Sequence, residues 1–265
     1  MSSISAIPVS HAESTRRATM RRWIERIVHT TLLLCAATSI VTTIGIVLVL
    51  VSQSIPFFRE VSLGEFLLGT RWTPLFTPRH FGILPLVSGT FLVAGGSALL
   101  AIPLRLGTSI YLSEYASPWV RHVVKPLLEI LAGIPSVVFG YVAVVFISPW
   151  IRWLFPSAEL FNAANACIVV GIMILPMIVS LSEEVLRSVP RSLREGAFAL
   201  GATKLDVTIG IVVPAAMSGI VASFLLAIAR AVGETMAVTL AAGATPNLTL
   251  NLLESVQTMT AYIVE

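Results

Sequence analysis

The sequence predicts an all-α, polytopic transmembrane helical bundle, and three observations predict it. Only 12% of the 265 residues are charged, whereas 56% are hydrophobic; an ordinary soluble domain is about 25% charged. Apolar runs approaching or exceeding the ~20 residues that cross a bilayer recur along the chain. Gly95, Gly96, Pro85, Pro135, Pro176 and Pro214 lie in or beside those runs, where neighbouring helices can satisfy freed backbone groups. So few charges cannot cover a water-facing globule, which excludes a soluble domain, a disordered chain and a coiled coil. A net charge of +3 on so apolar a chain gives no ground for a nucleic-acid partner. Its basic residues, nearly all Arg, report orientation instead.

The first span covers residues 28–51 and contains no charge. Arg16, Arg17, Arg21, Arg22 and Arg26 precede it. The run is too long for the apolar part of a signal peptide and no small-residue cleavage site follows, so it reads as an uncleaved anchor. Residues 1–27 then form a basic N-terminal segment and 52–82 a loop. The second span is 83–102, closed by Pro103. The third is 127–146, the fourth has its core at 167–181, and the fifth is 209–229. Residues 83–242 make one core with a polar loop at 182–209. Residues 243–265 are amphipathic at best and too polar to span. Twelve basic residues fall on one side of this arrangement, among them Arg105, Arg121, Lys125, Arg187, Arg191, Arg194 and Lys204. The other side holds four, Arg59, Arg71, Arg79 and Arg152. The positive-inside rule places the N-terminus in the cytoplasm, and 52–82 and 243–265 outside.

The residues offer no catalytic centre. There is no GxxxxGK[ST], no HExxH and no GxSxG, so the chain forms no phosphate-binding loop, zinc site or nucleophile elbow by those patterns. His11, His29, His80 and His122 are scattered. Cys35 and Cys167 stand alone in apolar runs, without a CxxC. No cofactor or metal is implied, and any energy source must belong to another subunit.

Loop 182–209 carries helix punctuation. Ser192-Leu-Arg-Glu195 reads as a capping box, a short helix follows, and Gly201 suits a left-handed stop. Thr203-Lys-Leu-Asp206 offers a second cap. The helix, with Ala197, Phe198 and Leu200 as apolar knobs, is either a surface connector or a rigid knob for a cytoplasmic partner. Arg230 and Glu234 are spaced i,i+4, which places them on one face of a continuous helix. An ionisable residue in or beside an apolar span is costly unless paired. The two are either a structural clamp or the lining of an anion path, since a guanidinium fork suits an oxyanion. Lys125 and Glu129 read as snorkelling residues at the third span's end. Ser136 beside Pro135 suits a path or helix packing equally, and Glu183, Glu184 and Arg187 read as a solvated loop margin.

The string Glu195-Gly-Ala197, three residues, Gly201, nine residues, Ile211-Val-Val-Pro214 resembles the EAA motif of ABC-importer permeases, with Gly196 for the first Ala and Val213 for Leu. Three further stretches resemble phosphate permeases: Ala132-Gly-Ile-Pro-Ser-Val-Val-Phe-Gly140, Val189-Pro-Arg-Ser-Leu-Arg-Glu195, and Arg230-Ala-Val-Gly-Glu-Thr-Met-Ala-Val238. The last is similar to the PstC-type subunit. The resemblance implies a type I, MetI-like permease fold in a bacterial inner membrane. It implies a heterodimer with a PstA-like permease, an ATPase dimer in the cytoplasm, a phosphate-binding protein outside, and phosphate as substrate. Glu195, Gly196, Ala197 and Gly201 would then belong to the coupling helix on the ATPase, and Arg230 and Glu234 to the translocation path. Arg230 would attract the anion, and Glu234 would reclaim Arg230 afterwards. The family normally has six core spans, so the sixth is expected to be missing after Glu265. The alternatives are a sulfate or molybdate permease, against which Thr235-Met236 speaks, and a non-transporting membrane sensor on the same scaffold.

Overall fold

The computed structural model describes the backbone of residues 11–265 and the side chains from Arg22 onward. Arg16, Arg17, Arg21 and His11, weighed above, carry side chains outside the described residues. The chain divides into one unit ending at Ser62 and a second, Leu63–Glu265.

The described part of the first unit is a helix, α1 (His11–Glu60). Its apolar residues are exposed all round, as expected of a helix whose solvent is lipid. The helix continues past the expected end at residue 51. No glycine follows to stop it, and Pro56 is absorbed within the last turns.

The second unit opens with α2 (Leu63–Leu68) and a two-residue hairpin, β1 (Trp72–Thr73) and β2 (His80–Phe81), in which Trp72 pairs with Phe81. Then come α3 (Leu84–Ile110), ending in a π turn at Tyr111–Tyr115, and α4 (Pro118–Ala132). Next are α5 (Ser136–Val142), a π turn at Ala143–Ile147 and α6 (Ser148–Leu154). The rest is α7 (Ala163–Ser188), α8 (Arg191–Ala199), α9 (Lys204–Val207), a π turn at Thr208–Val212, α10 (Val213–Val232), α11 (Met236–Ala242) and α12 (Met259–Val264). Among the described residues, five helical stretches are long and apolar enough to cross a membrane: Arg22–Glu60, Leu84–Tyr115, Ser136–Leu154, Ala163–Ser188 and Lys204–Val232.

Five spans were expected, but their limits move. The third span is not 127–146. Pro135 has no N–H to donate to Leu131, and its ring crowds that carbonyl; Gly133 just before it is a weak helix former. The helix therefore stops at Ala132 with Gly133 as C-cap, and the crossing segment starts again at Ser136. The second span runs through Pro103 instead of ending there. Arg105, assigned to a loop, lies inside α3 and is wholly buried.

The core is built where α3, α7 and α10 meet, with α11 laid against α5. Val93, Val170, Ile174, Ile178, Ala227 and Val238 are buried together there. Small residues allow the close approach that packing in lipid requires. Gly219 of α10 shows it: a Cβ there would stand 2.3 Å from Val185 Cγ1 of α7. Beside this contact Ser182 and Ser223 join α7 to α10 by a 2.8 Å hydrogen bond. Segment 243–265 is no free tail. Ser255–Thr258 is buried, the Met259 amide donates to Thr90 Oγ1, and the Tyr262 ring meets Trp72 edge-on at 5.0 Å.

Candidate functional site

α10 and α11 are two halves of one line of chain, interrupted at Gly233-Glu234-Thr235. Gly233 ends α10, its amide donating to the Ala229 carbonyl. The Glu234 carboxylate accepts from the Ala237 amide at 3.3 Å and so caps α11. The freed Glu234 carbonyl finds a partner, Thr260 Oγ1 donating to it at 2.9 Å, while that of Thr235 accepts the Thr239 amide and Oγ1, both at 2.9 Å. An unwound stretch in a lipid-embedded unit persists only where its backbone is satisfied in this way or lines a cavity.

The i,i+4 clamp between Arg230 and Glu234 is therefore not made. It requires a continuous helix, and the chain leaves the helix between the two residues. Glu234 turns to α11, while Arg230, in the last turn of α10, has no hydrogen bond or ion pair with any described residue. Both nonetheless line one cavity of about 380 Å³ with Met177, Leu226 and Gly233. Arg230 also lines a second cavity, of about 390 Å³, between α4 and α7. Its depth follows from the antiparallel register of α7 and α10. Ser223 stands level with Ser182, and Arg230 is seven residues, roughly 10 Å, further on at 1.5 Å per residue. That places it opposite Leu175, near the midpoint of α7 (Ala163–Ser188).

The short helix α8 lies at the other end of α7. Its expected capping box is absent: the helix starts two residues earlier, with Pro190 as N-cap and no side-chain cap. Ser192 is then already inside the first turn, where its hydroxyl cannot serve as a cap. The second box is present, with the Thr203 amide donating to Asp206 Oδ2 at 3.0 Å and the Asp206 amide to Thr203 Oγ1 at 3.3 Å. Gly201 takes a left-handed φ of +83°, the conformation expected of it. Of the four motif residues, Glu195, Gly196 and Gly201 are exposed and Ala197 is buried. Ala197 anchors α8 among Leu186, Val207 and Val212, while Leu193, Phe198 and Leu200 point away from that cluster, Leu200 at 90% exposure.

Charges that the sequence left in loops hold α8 in place. Arg194 Nη1 lies 2.9 and 2.8 Å from the two carboxylate oxygens of Glu114, and its Nη2 donates to the Leu186 carbonyl at 2.7 Å. The bridge ties α8 to the π turn after α3. Glu183 is no solvated margin: only 3% of its side chain is exposed, and it pairs with Arg121 at 3.5 Å and Arg187 at 3.4 Å. Glu184 is exposed. Lys125, half-buried, and Glu129, exposed, both line the cavity that Arg230 also lines. The i,i+4,i+8 spacing of Arg121, Lys125 and Glu129 was the signal for that stripe. Arg105 gave no such signal. Its guanidinium donates to the Gly171 carbonyl, while Nε and Nη1 have no partner among the described residues.

The sequence has counterparts among known proteins. Residues 105–263 match the family described as binding-protein-dependent transport system inner membrane component. A probable ABC transporter permease, YqgH of Bacillus subtilis, is 36% identical over 231 residues, covering 86% of this chain and 75% of that protein. The phosphate transport system permease PstC of Haemophilus influenzae is 32% identical over 248 residues, covering 86% and 78%. The phosphate transport system permease PstA 1 of Mycobacterium tuberculosis is 39% identical over 177 residues, covering 66% and 56%. The family match over residues 105–263 and relatives more than 30% identical over most of the chain show that this chain belongs to the binding-protein-dependent transport system inner membrane components.

Proposed function

We propose that this chain is the permease subunit of an ABC importer for inorganic phosphate, of the PstC type. It pairs with a PstA-like permease, an ATPase dimer in the cytoplasm and a phosphate-binding protein outside. ATP is hydrolysed on the ATPase subunits, and this chain contributes path and coupling. Its N-terminal segment 1–27 and segment 182–209 face the cytoplasm; segments 52–82 and 243–265 face outward.

One observation carries the reading. Arg230 stands unpaired beside a helix break, level with the middle of α7 and open to two cavities. A lone guanidinium at such depth costs about 2.5–3.5 kcal/mol or more, a cost that an arriving oxyanion offsets. Its planar fork takes two phosphate oxygens at once. Glu234 on the same cavity wall competes for Arg230 when its carboxylate leaves the Ala237 amide, which keeps the anion from being held for good. Conduction needs binding weak enough to let go.

Coupling follows from α8. Glu195 and Gly196 offer an exposed surface to the ATPase, Ala197 roots the helix, and Gly201 sets the turn into α9. Movement of α8 reaches α3 through the Arg194–Glu114 bridge and α7 through the Leu186 carbonyl.

The test is reconstitution of the chain with its companion permease, ATPase and binding protein in proteoliposomes. Phosphate-loaded binding protein should stimulate ATPase activity and drive labelled phosphate uptake that excess sulfate and molybdate leave unchanged. Competition by either anion identifies a broader oxyanion permease. Absence of both stimulation and uptake identifies a non-transporting sensor.

A further inference from the structure

Helix α4 is amphipathic in an inverted sense. Its large apolar side chains Trp119, Val123, Leu127 and Ile130 are exposed, Trp119 at 74%. Its charged residues Arg121, Lys125 and Glu129 instead line the cavity of about 390 Å³ that it shares with Pro176 and Glu183 of α7 and with Arg230 of α10. A helix with its greasy face outward and its charges inward is arranged for lipid on one side and water on the other.

The charges in this cavity are not equivalent. Arg121 is committed: it donates to the carbonyls of Leu112 and Ser113 and pairs with Glu183. Lys125, one turn further along α4, has no hydrogen bond or ion pair with any described residue. The same holds for Arg230. Glu183 lies eight residues along α7 from Leu175, the level of Arg230, or roughly 12 Å. The cavity thus extends from a free guanidinium level with the middle of α7 to Glu183, with a free ammonium one α4 turn from the Arg121–Glu183 pair.

We propose that the α4–α7 cavity is the inward leg of the anion path and that Lys125 is its second anion-binding station, accepting an inorganic oxyanion from Arg230. This rests on the phosphate-permease reading above and extends it. A lysine fits such a station because its ammonium is a mobile, strongly hydrated point charge. It attracts the anion without the two-point grip of an arginine fork, so the anion passes on. Glu129, one turn beyond Lys125, is the counter-charge that takes up the ammonium between passages.

The test uses the full chain with its partner subunits in proteoliposomes, Cys35→Ser and Cys167→Ala having removed the native thiols. Lys125→Cys is expected to lower the maximal rate of labelled phosphate uptake by about tenfold. Aminoethyl methanethiosulfonate, which restores a positive charge, should recover most of that rate. Neutral methyl methanethiosulfonate should not, and saturating phosphate should slow both reactions. Unchanged uptake in Lys125→Cys, equal recovery by both reagents, or no protection by phosphate would each overturn the proposal. If Lys125→Cys does not reach the membrane, Lys125→Arg and Lys125→Gln replace it: retained uptake in the first and loss in the second supports the station, and equal behaviour rejects it. Arg230→Gln, measured alongside, separates the two ideas. Normal uptake there sinks the phosphate path as a whole, whereas lost uptake there with normal uptake in Lys125→Cys removes the second station alone.

Discussion

Arg105 and Arg230 place the same guanidinium in two different settings. Arg230 is exposed and lines two cavities; Arg105 is 0% exposed and lines an apolar cavity of about 230 Å³ between α3 and α7, with Nε and Nη1 unpartnered among the described residues. Burying a cation in apolar surroundings costs several kcal/mol, and one bond to the Gly171 carbonyl returns only part of it. Even buried ion pairs can often be replaced by apolar side chains of similar volume with no loss of stability or a gain of about 1–4 kcal/mol, and Arg105 has no ionic partner among the described residues to lose. Arg105→Met should therefore leave the solubilised protein as stable as before or more so. The exposure of the buried Cys167 thiol to a maleimide dye during heating, in a Cys35→Ser background, measures this. A marked drop in the midpoint would mean that Arg105 has a partner supplied from outside this chain. Sequence alone showed the contrast only in part. Arg230 was visible through its motif, whereas Arg105 was misplaced in a loop because Pro103 was read as a helix end.

At the scale of elements, prolines and glycines decide most of the outcome, and their effect depends on company. Pro135 follows Gly133 and breaks the chain into α4 and α5. Pro103 follows Leu99-Leu-Ala-Ile102, stronger helix formers, and the helix runs on. Sequence shows the residues, but the sum of local preference and tertiary packing settles each case. The same limit hid the failure of the Arg230–Glu234 clamp: i,i+4 spacing is informative only within an unbroken helix, and Gly233-Glu234-Thr235 interrupts it. Helix registers are set by close contacts that no periodicity reveals. Gly219 against Val185 is one, and it fixes how α7 and α10 stand level. Gly219→Ala should destabilise the unit by about 1–3 kcal/mol through overpacking, and Val185→Ala added to it should restore much of the loss. Thermal midpoints of the two single variants and the double variant measure the coupling. Simple additivity would show that the helices are not locked at that contact.

For the whole molecule, composition was enough to establish an all-helical membrane bundle, because charge content and run length are global quantities that packing does not alter. Motif spacing placed the candidate coupling helix, and Gly201 and the Thr203–Asp206 box adopt the conformations their residue types favour. Hidden from the sequence was the network joining distant segments: Arg194 to Glu114 across eighty residues, Thr260 to Glu234, and the α4 stripe to Arg230. Such pairings depend on tertiary approach and leave no local signature. They connect the α8 surface to the broken helix through α3 and α7, so under the proposed function a push on α8 and an anion at Arg230 would act on one packed body. Charge at position 230 is the point on which this account turns. The most direct measurement is ATP-driven uptake of labelled phosphate by the reconstituted complex carrying Arg230→Gln, with membrane assembly of the chain monitored in parallel. The account predicts that uptake falls at least about a hundredfold while assembly is normal; an assembled Arg230→Gln complex that imports phosphate at the original rate would contradict it.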